Sequence, residues 1–308
     1  MTTTSTTRPG GHLSGPQSLQ RVHTQVGFWH GFGPSVREVW EFRELLVQLV
    51  RKELKVKYKD SVLGFLWTLV RPLLQLLVYS VAIGVFLGTS KTIPSFGVYL
   101  FTGLLAWSLF TDILGGCTGS IVGNAGLVKK VYFPRELFPL SVVGAALVNF
   151  LLQSVVLVGA FAVTGDWPRP SDLLLLPLAL LVLVVFATAL GLVLAASNVY
   201  LRDVQYLLEV GLLLWFWMTP IVYDWTKVKD KLAGGSLHWV YEVYLANPMA
   251  DVVLAFQRSL WRAGEPTPFY YGGNLSLRLL VLLVASSGLL FLAQRVFARS
   301  SGNFAQEL

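Results

Sequence analysis

The chain has 308 residues, of which 54% are hydrophobic and only 13% are charged. A soluble globular domain carries roughly 25% charged residues, so this composition excludes that class. Several nearly uncharged stretches reach about 20 residues, long enough to cross a hydrocarbon core of roughly 30 Å. The net charge of +7 comes from Lys and Arg that cluster beside these stretches, which indicates membrane topology rather than nucleic-acid binding.

The sequence predicts no catalytic, cofactor or metal site. Its single cysteine, Cys117, cannot form a disulfide within one chain, and its four histidines show no metal-ligand spacing. The phosphate-binding pattern G-x-x-x-x-G-K-[ST] is absent, because the sequence contains no Gly-Lys pair. Any ATP hydrolysis that drives this protein must therefore take place on another polypeptide.

The N-terminal part divides into a tail and a helix. Residues 1–35 are predicted to form a disordered cytoplasmic tail, because their start is rich in Thr, Ser, Gly and Pro and lacks the apolar core of a signal peptide. Residues 36–60 have the periodicity of an amphipathic helix with an apolar stripe that includes Trp40 and a basic opposite face. This pattern favours a helix in the membrane–water interface, and the alternative is a helix packed on a protein partner.

Six apolar segments are predicted to cross the membrane as α-helices, which makes the chain an all-α polytopic membrane protein. The predicted spans are 72–87, 98–117, 140–163, 173–195, 207–222 and 275–297. They belong to a transmembrane domain at 61–297, followed by a cytoplasmic tail at 298–308.

Two longer connections interrupt the spans. The loop at 120–139 is partly apolar and carries a basic cluster, so it is predicted to be structured and cytoplasmic. The loop at 224–274 contains an apolar stretch broken at Asn247-Pro248. That break predicts short re-entrant helices on the outer side, because irregular backbone at membrane depth must be covered by protein or water.

The positions of the basic residues predict the orientation. With the N-terminus inside, 16 of the 24 Lys and Arg residues fall on the inner side. Five of the remaining eight lie in the 224–274 loop, where five acidic residues match them. The positive-inside rule therefore places both termini in the cytoplasm.

Two charged residues near the membrane stand out. A charge at a helix centre costs roughly 2.5–3.5 kcal/mol on insertion scales, so Arg71 is expected near the interface or in a wet cavity. Asp112 falls within the second predicted span. It is either a functional intramembrane carboxylate or a side chain that reaches water from near a helix end, and the sequence leaves both interpretations open.

Aromatic residues are concentrated around the fifth predicted span and the outer loop. An aromatic belt at the membrane interface explains part of this enrichment. The functional interpretation is that some of these rings stack on sugar faces, while their OH and indole N–H groups meet sugar hydroxyls. The candidate glycan-contacting residues are Trp215, Trp217, Tyr223, Trp225, Tyr244 and Trp261.

The segment 57–72 carries a family resemblance. Lys57-Tyr58-Lys59, Ser61, Leu63-Gly64, Trp67 and Pro72 resemble the K-Y-K-x-S-x-L-G-x-x-W-x-x-x-x-P run of the type-2 ABC exporter permeases. More narrowly, they resemble the subunit that exports lipid-linked O-antigen, teichoic acid or galactan. The resemblance implies a homodimeric channel in the bacterial cytoplasmic membrane, paired with two copies of a separate ATPase subunit that binds ATP and Mg.

The resemblance also implies residue roles. A short gate helix is expected at 61–70, and the candidate gate residues are Ser61, Leu63, Gly64, Trp67, Arg71 and Pro72. A coupling helix that contacts the ATPase is expected within 120–139. The candidate coupling residues are Asn124, Lys129, Lys130, Phe133, Pro134 and Arg135.

Two other functional classes remain as alternatives. A membrane-embedded glycan transferase or ligase would need acids or bases that converge, and the candidates are Asp112, Glu209, Asp251 and Arg258. The other class is an ion channel or a structural membrane protein, and a channel is disfavoured because no ring of charged residues repeats along a span.

Overall fold

The computed structural model describes residues 32–58, 66–130, 133–165, 167–232, 238–261 and 274–308. Within these ranges the regular structure is helical, with no β-strand, which confirms the all-α prediction. Most of the predicted tail (1–31) and the candidate gate residues Ser61, Leu63 and Gly64 lie outside the described residues. In chain order the helices are α1 (Phe32–Glu41), α2 (Arg43–Tyr58), α3 (Trp67–Tyr79), α4 (Phe96–Gly123), α5 (Ala125–Lys130), α6 (Leu137–Thr164), α7 (Pro170–Leu173), α8 (Leu175–Tyr200), α9 (Val204–Trp217), α10 (Thr226–Leu232), α11 (His238–Leu245), α12 (Pro248–Leu260), α13 (Leu275–Ser301) and α14 (Phe304–Glu307).

Five helical segments among the described residues are long and apolar enough to cross a membrane. They are Leu69–Phe86, Phe96–Gly123, Leu137–Thr164, Pro170–Tyr200 and Leu275–Ser301. Each overlaps one of the predicted spans, so the polytopic membrane architecture is confirmed.

The fifth predicted span, 207–222, is shorter in the structure. Helix α9 has 14 residues, which at 1.5 Å per residue is about 21 Å, less than a hydrocarbon core of roughly 30 Å. Pro220 follows its end, and Pro cannot continue a helix without losing a backbone hydrogen bond. The count of six full spans therefore stays a prediction.

The first membrane helix begins before its predicted start. Helix α3 runs from Trp67 through Arg71 and Pro72 without a break and continues as a π-helical stretch over Ser80–Phe86. The described part of the expected gate helix, residues 66–70, is thus continuous with the first membrane helix. A proline inside a membrane helix is tolerated where neighbouring groups satisfy the freed carbonyl.

Helix α4 is the centre of the bundle. Most of its side chains are buried, and it packs against α8, α6, α12, α3 and α9. Gly191 permits the close approach of α8, because a Cβ atom at this position would lie 2.9 Å from the Cβ atom of Cys117. The buried and apolar setting of Cys117 matches its interpretation as a core residue.

Helices α1 and α2 form the N-terminal arm, which begins at Phe32, four residues before its predicted start. One face of α2 packs on α6, where Leu49 is buried and Val50 lies over Gly144. Trp40 of α1 and Val47 of α2 are exposed. The arm therefore packs on protein through part of its surface and leaves apolar side chains exposed, so its placement in the membrane interface stays a prediction.

The predicted outer loop, as far as the structure describes it, contains the short helices α10, α11 and α12. Asn247 caps α12, because its side-chain oxygen accepts a hydrogen bond from the Met249 N–H at 3.0 Å, and Pro248 occupies the first turn. Helix α12 is deeply buried against α4, α8 and α13. We call this end of the bundle the α12 end, and the opposite end, where α2, α5 and α14 meet, the α5 end.

Candidate translocation cavity and α5 segment

Polar residues from five helices meet around a cavity of about 600 Å³. Arg71, Gln75 and Tyr79 are spaced by four residues along α3 and therefore share one face. On α4, Ser108 precedes Thr111 by three residues and Asp112 by four, so these side chains also share one face. The remaining polar and charged lining comes from Lys57, Gln153 and Glu209.

The charges of the cavity are partly paired. The Lys57 ammonium lies 3.4 Å from the Asp112 carboxylate, and the Asn149 amide donates to the same carboxylate oxygen at 3.5 Å. Gln153 on α6 donates to the Ser108 hydroxyl at 3.3 Å. Arg71 and Glu209 complete the charged lining and are both exposed. Asp112 and Arg71 therefore line one shared cavity, and the expectation that water reaches them stays a prediction.

Aromatic rings close the cavity toward the α12 end. Tyr79 stacks on Phe216 with 5.8 Å between ring centroids, which joins α3 to α9. Trp107 meets Phe216 edge-on at 5.6 Å. Because Asp112 and Lys57 lie closer to the α5 end, the cavity changes from charged to aromatic along its length.

The three described candidate gate residues all line this cavity. Trp67 and Arg71 are exposed, while Pro72 is buried. Trp67 is the first residue of α3, and it lines the same cavity as Lys57 of α2. The structure thus brings the described part of the family motif to the charged end of the cavity.

The candidate glycan-contacting aromatics do not share one environment. Trp217 is 52% exposed and lines the cavity. Trp225, Tyr244 and Trp261 are buried among apolar residues at the α12 end. In this conformation these three rings are core residues with little accessible surface.

The polar atoms of three aromatics in this group bind backbone or side-chain partners. The Trp215 indole N–H donates to the Asn247 side-chain oxygen at 2.8 Å. Trp261 donates to the Pro94 carbonyl at 2.9 Å, and the Tyr223 hydroxyl donates to the Trp217 carbonyl at 2.9 Å. The first bond joins α9 to the start of α12, the second joins the end of α12 to the segment before α4, and the third lies at the end of α9. All three are structural uses of groups that the sequence analysis assigned to sugar contact.

The second candidate region is the α5 segment, which comprises the described residues 124–130 and 133–135. Asn124 is buried between α4 and α5; its amide donates to the Ser120 carbonyl at 2.8 Å, and its side-chain oxygen accepts a hydrogen bond from the Lys52 ammonium. This contact ties α2 to the start of α5. Lys129 and Lys130 project from the last turn and are exposed, so they form the accessible face of the segment.

Phe133, Pro134 and Arg135 are partly buried. The Phe133 ring lies 5.3 Å from the Phe138 ring of α6, and the Arg135 guanidinium lies 5.9 Å from the centre of the Phe304 ring. Burial raises the pKa of the neighbouring Glu136 carboxyl, and the nearby charge of Glu38 adds to the rise. The candidate coupling residues therefore divide into an exposed pair and an inner group that packs on α6 and α14.

Several residues of both regions were not found by the sequence analysis. Ser108 precedes Asp112 by four residues and Thr111 by three, and Gln153 follows Asn149 by four. Polar residues at this helical spacing within apolar spans are a signal that could have identified them. Lys52 and Phe304 gave no such signal, because their partners are distant in sequence.

The residues of the enzyme alternative do not converge. Asp112 and Glu209 line the cavity, whereas Asp251 is buried at the α12 end and pairs with Arg278 at 3.0 Å. The cavity therefore has two carboxylates with a lysine and an arginine, and the third predicted acid is engaged elsewhere.

Comparison with known proteins identifies the family. A family model described as ABC-2 type transporter matches residues 44–260. The O-antigen export system permease protein RfbA of Myxococcus xanthus is 33% identical over 275 residues, which cover 89% of this chain and 98% of that protein. RfbA of Klebsiella pneumoniae is 31% identical over 214 residues, covering 70% and 79%.

A more distant relative is the polysialic acid transport protein KpsM of Escherichia coli, which is 22% identical over 222 residues, covering 70% of this chain and 81% of that protein. The matched range contains the described cavity residues and the α5 segment. These matches confirm the resemblance drawn from the segment 57–72. The chain therefore belongs to the ABC-2 type transporter family and is a permease of the type-2 ABC exporters.

Proposed function

We propose that this chain is the membrane-spanning permease subunit of an ATP-driven exporter that carries a lipid-linked cell-envelope polysaccharide out of the cytoplasm. The observation that carries the proposal is the cavity, in which charged and polar side chains from α2, α3, α4, α6 and α9 meet inside an apolar bundle. Apolar helices exclude a hydrophilic polymer, whereas a polar groove can solvate its hydroxyl groups and charges. The names of the relatives support polysaccharide as the cargo class.

The cargo in this proposal is an undecaprenyl-linked glycan: a galactan, a teichoic acid or an O-antigen. Trp67 and Trp217 present exposed ring faces in the cavity, and such faces suit the C–H surfaces of sugars. The neighbouring genes separate these cargoes, since galactosyltransferases accompany a galactan exporter and polyol-phosphate polymerases accompany a teichoic acid exporter.

Energy comes from a separate ATPase subunit that binds ATP and Mg, and this chain itself holds no cofactor. In the proposed complex, two copies of the permease pair with two copies of the ATPase in the bacterial cytoplasmic membrane, with both termini in the cytoplasm. The α5 end then faces the ATPase, and Lys129 and Lys130 form the contact surface. A rigid-body movement of the ATPase subunits would reach the spans through the α5 segment.

The test of this proposal uses the permease purified together with its ATPase. Reversing the exposed charges with Lys129→Glu and Lys130→Glu is expected to release the ATPase, because both side chains lie on the accessible face. Phe133→Ala is expected to leave the complex assembled but to uncouple hydrolysis from export, because Phe133 packs inward.

The matched control is Arg37→Glu, which changes an equally exposed basic residue of the N-terminal arm outside the α5 segment. Retention of the ATPase by the Lys129→Glu, Lys130→Glu variant would contradict the assigned contact surface. Export, or turnover of a lipid-linked sugar, by the purified chain without any ATPase would contradict the proposed function and favour a membrane-embedded enzyme.

A further inference from the structure

The final helix of the chain packs beneath the α5 segment. Phe304 in α14 is fully buried, although the predicted cytoplasmic tail at 298–308 gave no reason to expect a core residue there. Its ring contacts the Phe297 ring of α13 at 5.4 Å and the Tyr200 ring of α8 at 6.3 Å. Tyr200 also donates to the Ser300 carbonyl at 3.2 Å, so α8, α13 and α14 are joined at one point.

The same ring faces the α5 segment. The Arg135 guanidinium lies 5.9 Å from the ring centre, which is within the range of a cation–π contact. Val128 of α5 is buried in the same hydrophobic cluster as Phe304, and α14 packs against α5. Phe304 therefore contacts the α5 segment on one side and the paired helices α8 and α13 on the other.

We infer that Phe304 is a positioning residue for energy coupling, which holds Arg135 and transmits movement of the α5 segment to α8 and α13. The inference rests on the proposed function, because it takes the α5 segment as the site that the ATPase moves. Without α14, the segment would still connect directly to α4 and α6, but its packed contact with α8 and α13 would be weakened. Closely packed side chains transmit displacement because they have few voids to absorb it.

The experiment measures export and ATP hydrolysis at equal amounts of assembled permease–ATPase complex. Phe304→Ala is expected to keep hydrolysis within about twofold of the parent and to lower surface polysaccharide per ATP by about tenfold, a coupling effect of the size that packed networks show. Phe304→Leu, which keeps the apolar volume but removes the ring, is expected to recover part of the ratio. Gln306→Ala is the matched control, because Gln306 is exposed on the same short helix.

A double variant tests whether Phe304 acts through Arg135. If it does, Phe304→Ala with Arg135→Ala couples no worse than Arg135→Ala alone, whereas independent roles give additive losses. A parent-like ratio of export to hydrolysis in Phe304→Ala overturns the inference, as do additive losses. If the Phe304→Ala complex does not assemble, the ratio of export to hydrolysis in Phe304→Leu decides in its place, and a parent-like ratio there overturns the inference.

Measurements on the parent complex alone distinguish failure of the proposed function from failure of the positioning role. If the proposed function failed, the parent chain itself would not bind an ATPase or export with ATP. Failure of the positioning role would instead leave a working parent complex and an equally efficient Phe304→Ala complex.

Discussion

At the scale of single residues, the ion pair of Lys57 and Asp112 marks the charged end of the cavity. Both side chains are partly exposed, so the pair contributes little to stability, roughly 0–1 kcal/mol. Its importance is expected in transport, because it sets the charge pattern that a polymer meets on entering.

We expect Lys57→Asp and Asp112→Lys to lower export severalfold as single variants, because each leaves like charges side by side. The exchange variant that carries both substitutions is expected to recover part of the activity. Surface polysaccharide at equal permease levels is the measurement. An exchange variant as poor as the worse single variant would show that the pair is not the relevant unit.

A second ion pair gives a pH prediction at the α12 end. Burial raises the pKa of the Asp251 carboxyl to about 6, and the nearby Arg278 opposes the rise. Since an unfolded Asp titrates near pH 4, the folded state binds the proton more tightly between these values. The contribution of Asp251 to stability is therefore present below about pH 4 and is lost as the pH rises through about 6.

Removing the positive charge of Arg278 is expected to enlarge the loss of stability at high pH. Arg278→Gln leaves a buried carboxylate alone at pH 7.5, and breaking a buried pair costs up to roughly 3–5 kcal/mol, reduced here because Arg278 is partly exposed. The expected result is a Tm drop that is larger at pH 7.5 than at pH 5. Adding Asp251→Asn should abolish the difference between the two pH values, and a pH-independent drop in Arg278→Gln alone would contradict the assignment.

At the scale of elements, the docking of α2 on α6 depends on one glycine. A Cβ atom at Gly144 would lie 2.7 Å from a methyl carbon of Val50, closer than packed carbon atoms approach. Gly144→Val is expected to push α2 away and to destabilise the fold by about 1–3 kcal/mol, the usual cost of overpacking.

The measurement is the Tm, together with the rate of trypsin cleavage in α2. Gly159→Ala is the control on the same helix, because no atom lies within 4 Å of a Cβ atom there. The control should keep the parent Tm or raise it slightly. An unchanged Tm and cleavage rate in Gly144→Val would show that α2 is not held at this contact.

The sequence predicts most of the helices, because long apolar runs leave few alternatives in a membrane. It extends the fifth span to residue 222, past the end of α9 at Trp217. Pro220 is a local stop signal, but the turn after α9 is also held by contacts from a distance. The Asn247 amide donates to the Met218 carbonyl at 3.1 Å and to the Thr219 hydroxyl at 3.2 Å. A hydropathy pattern contains no information about such a contact between the end of one helix and the start of another.

The candidate site also has a part that local sequence patterns predict and a part that depends on contacts between distant segments. The polar faces of α3 and α4 can be found by counting along each helix, as Arg71, Gln75 and Tyr79 show. Their convergence on one cavity depends on the packing of α3, α4 and α9, which no single segment specifies. Phe304 lies in a short polar tail, where an isolated aromatic residue gives no pattern to interpret.

At the scale of the whole molecule, the cavity lies between α3 and α9, and both helices keep exposed apolar side chains. The proposed two-fold dimer would place these helices around a shared path. We expect Leu214→Cys on α9, which is exposed and outside the cavity lining, to cross-link two copies in membranes.

The comparison site is Val284→Cys on α13, which is also exposed but does not border the cavity. It should give no cross-linked dimer under the same conditions. Cys117 is buried and adds no background. Equal cross-linking at both sites, or cross-linking only on α13, would place the two-fold axis elsewhere.

The shortness of α9 also has a consequence for the lipid around the protein. A helix of about 21 Å that packs against α4 and α8, which have 28 and 26 residues, cannot match the same bilayer thickness without deforming it. Lipids next to Val204–Trp217 are therefore expected to be compressed, at a cost of fractions of a kcal/mol per ångström of mismatch. Since α9 lines one side of the cavity, the hydrocarbon core of the bilayer is expected to be thinnest beside the proposed path of the polysaccharide.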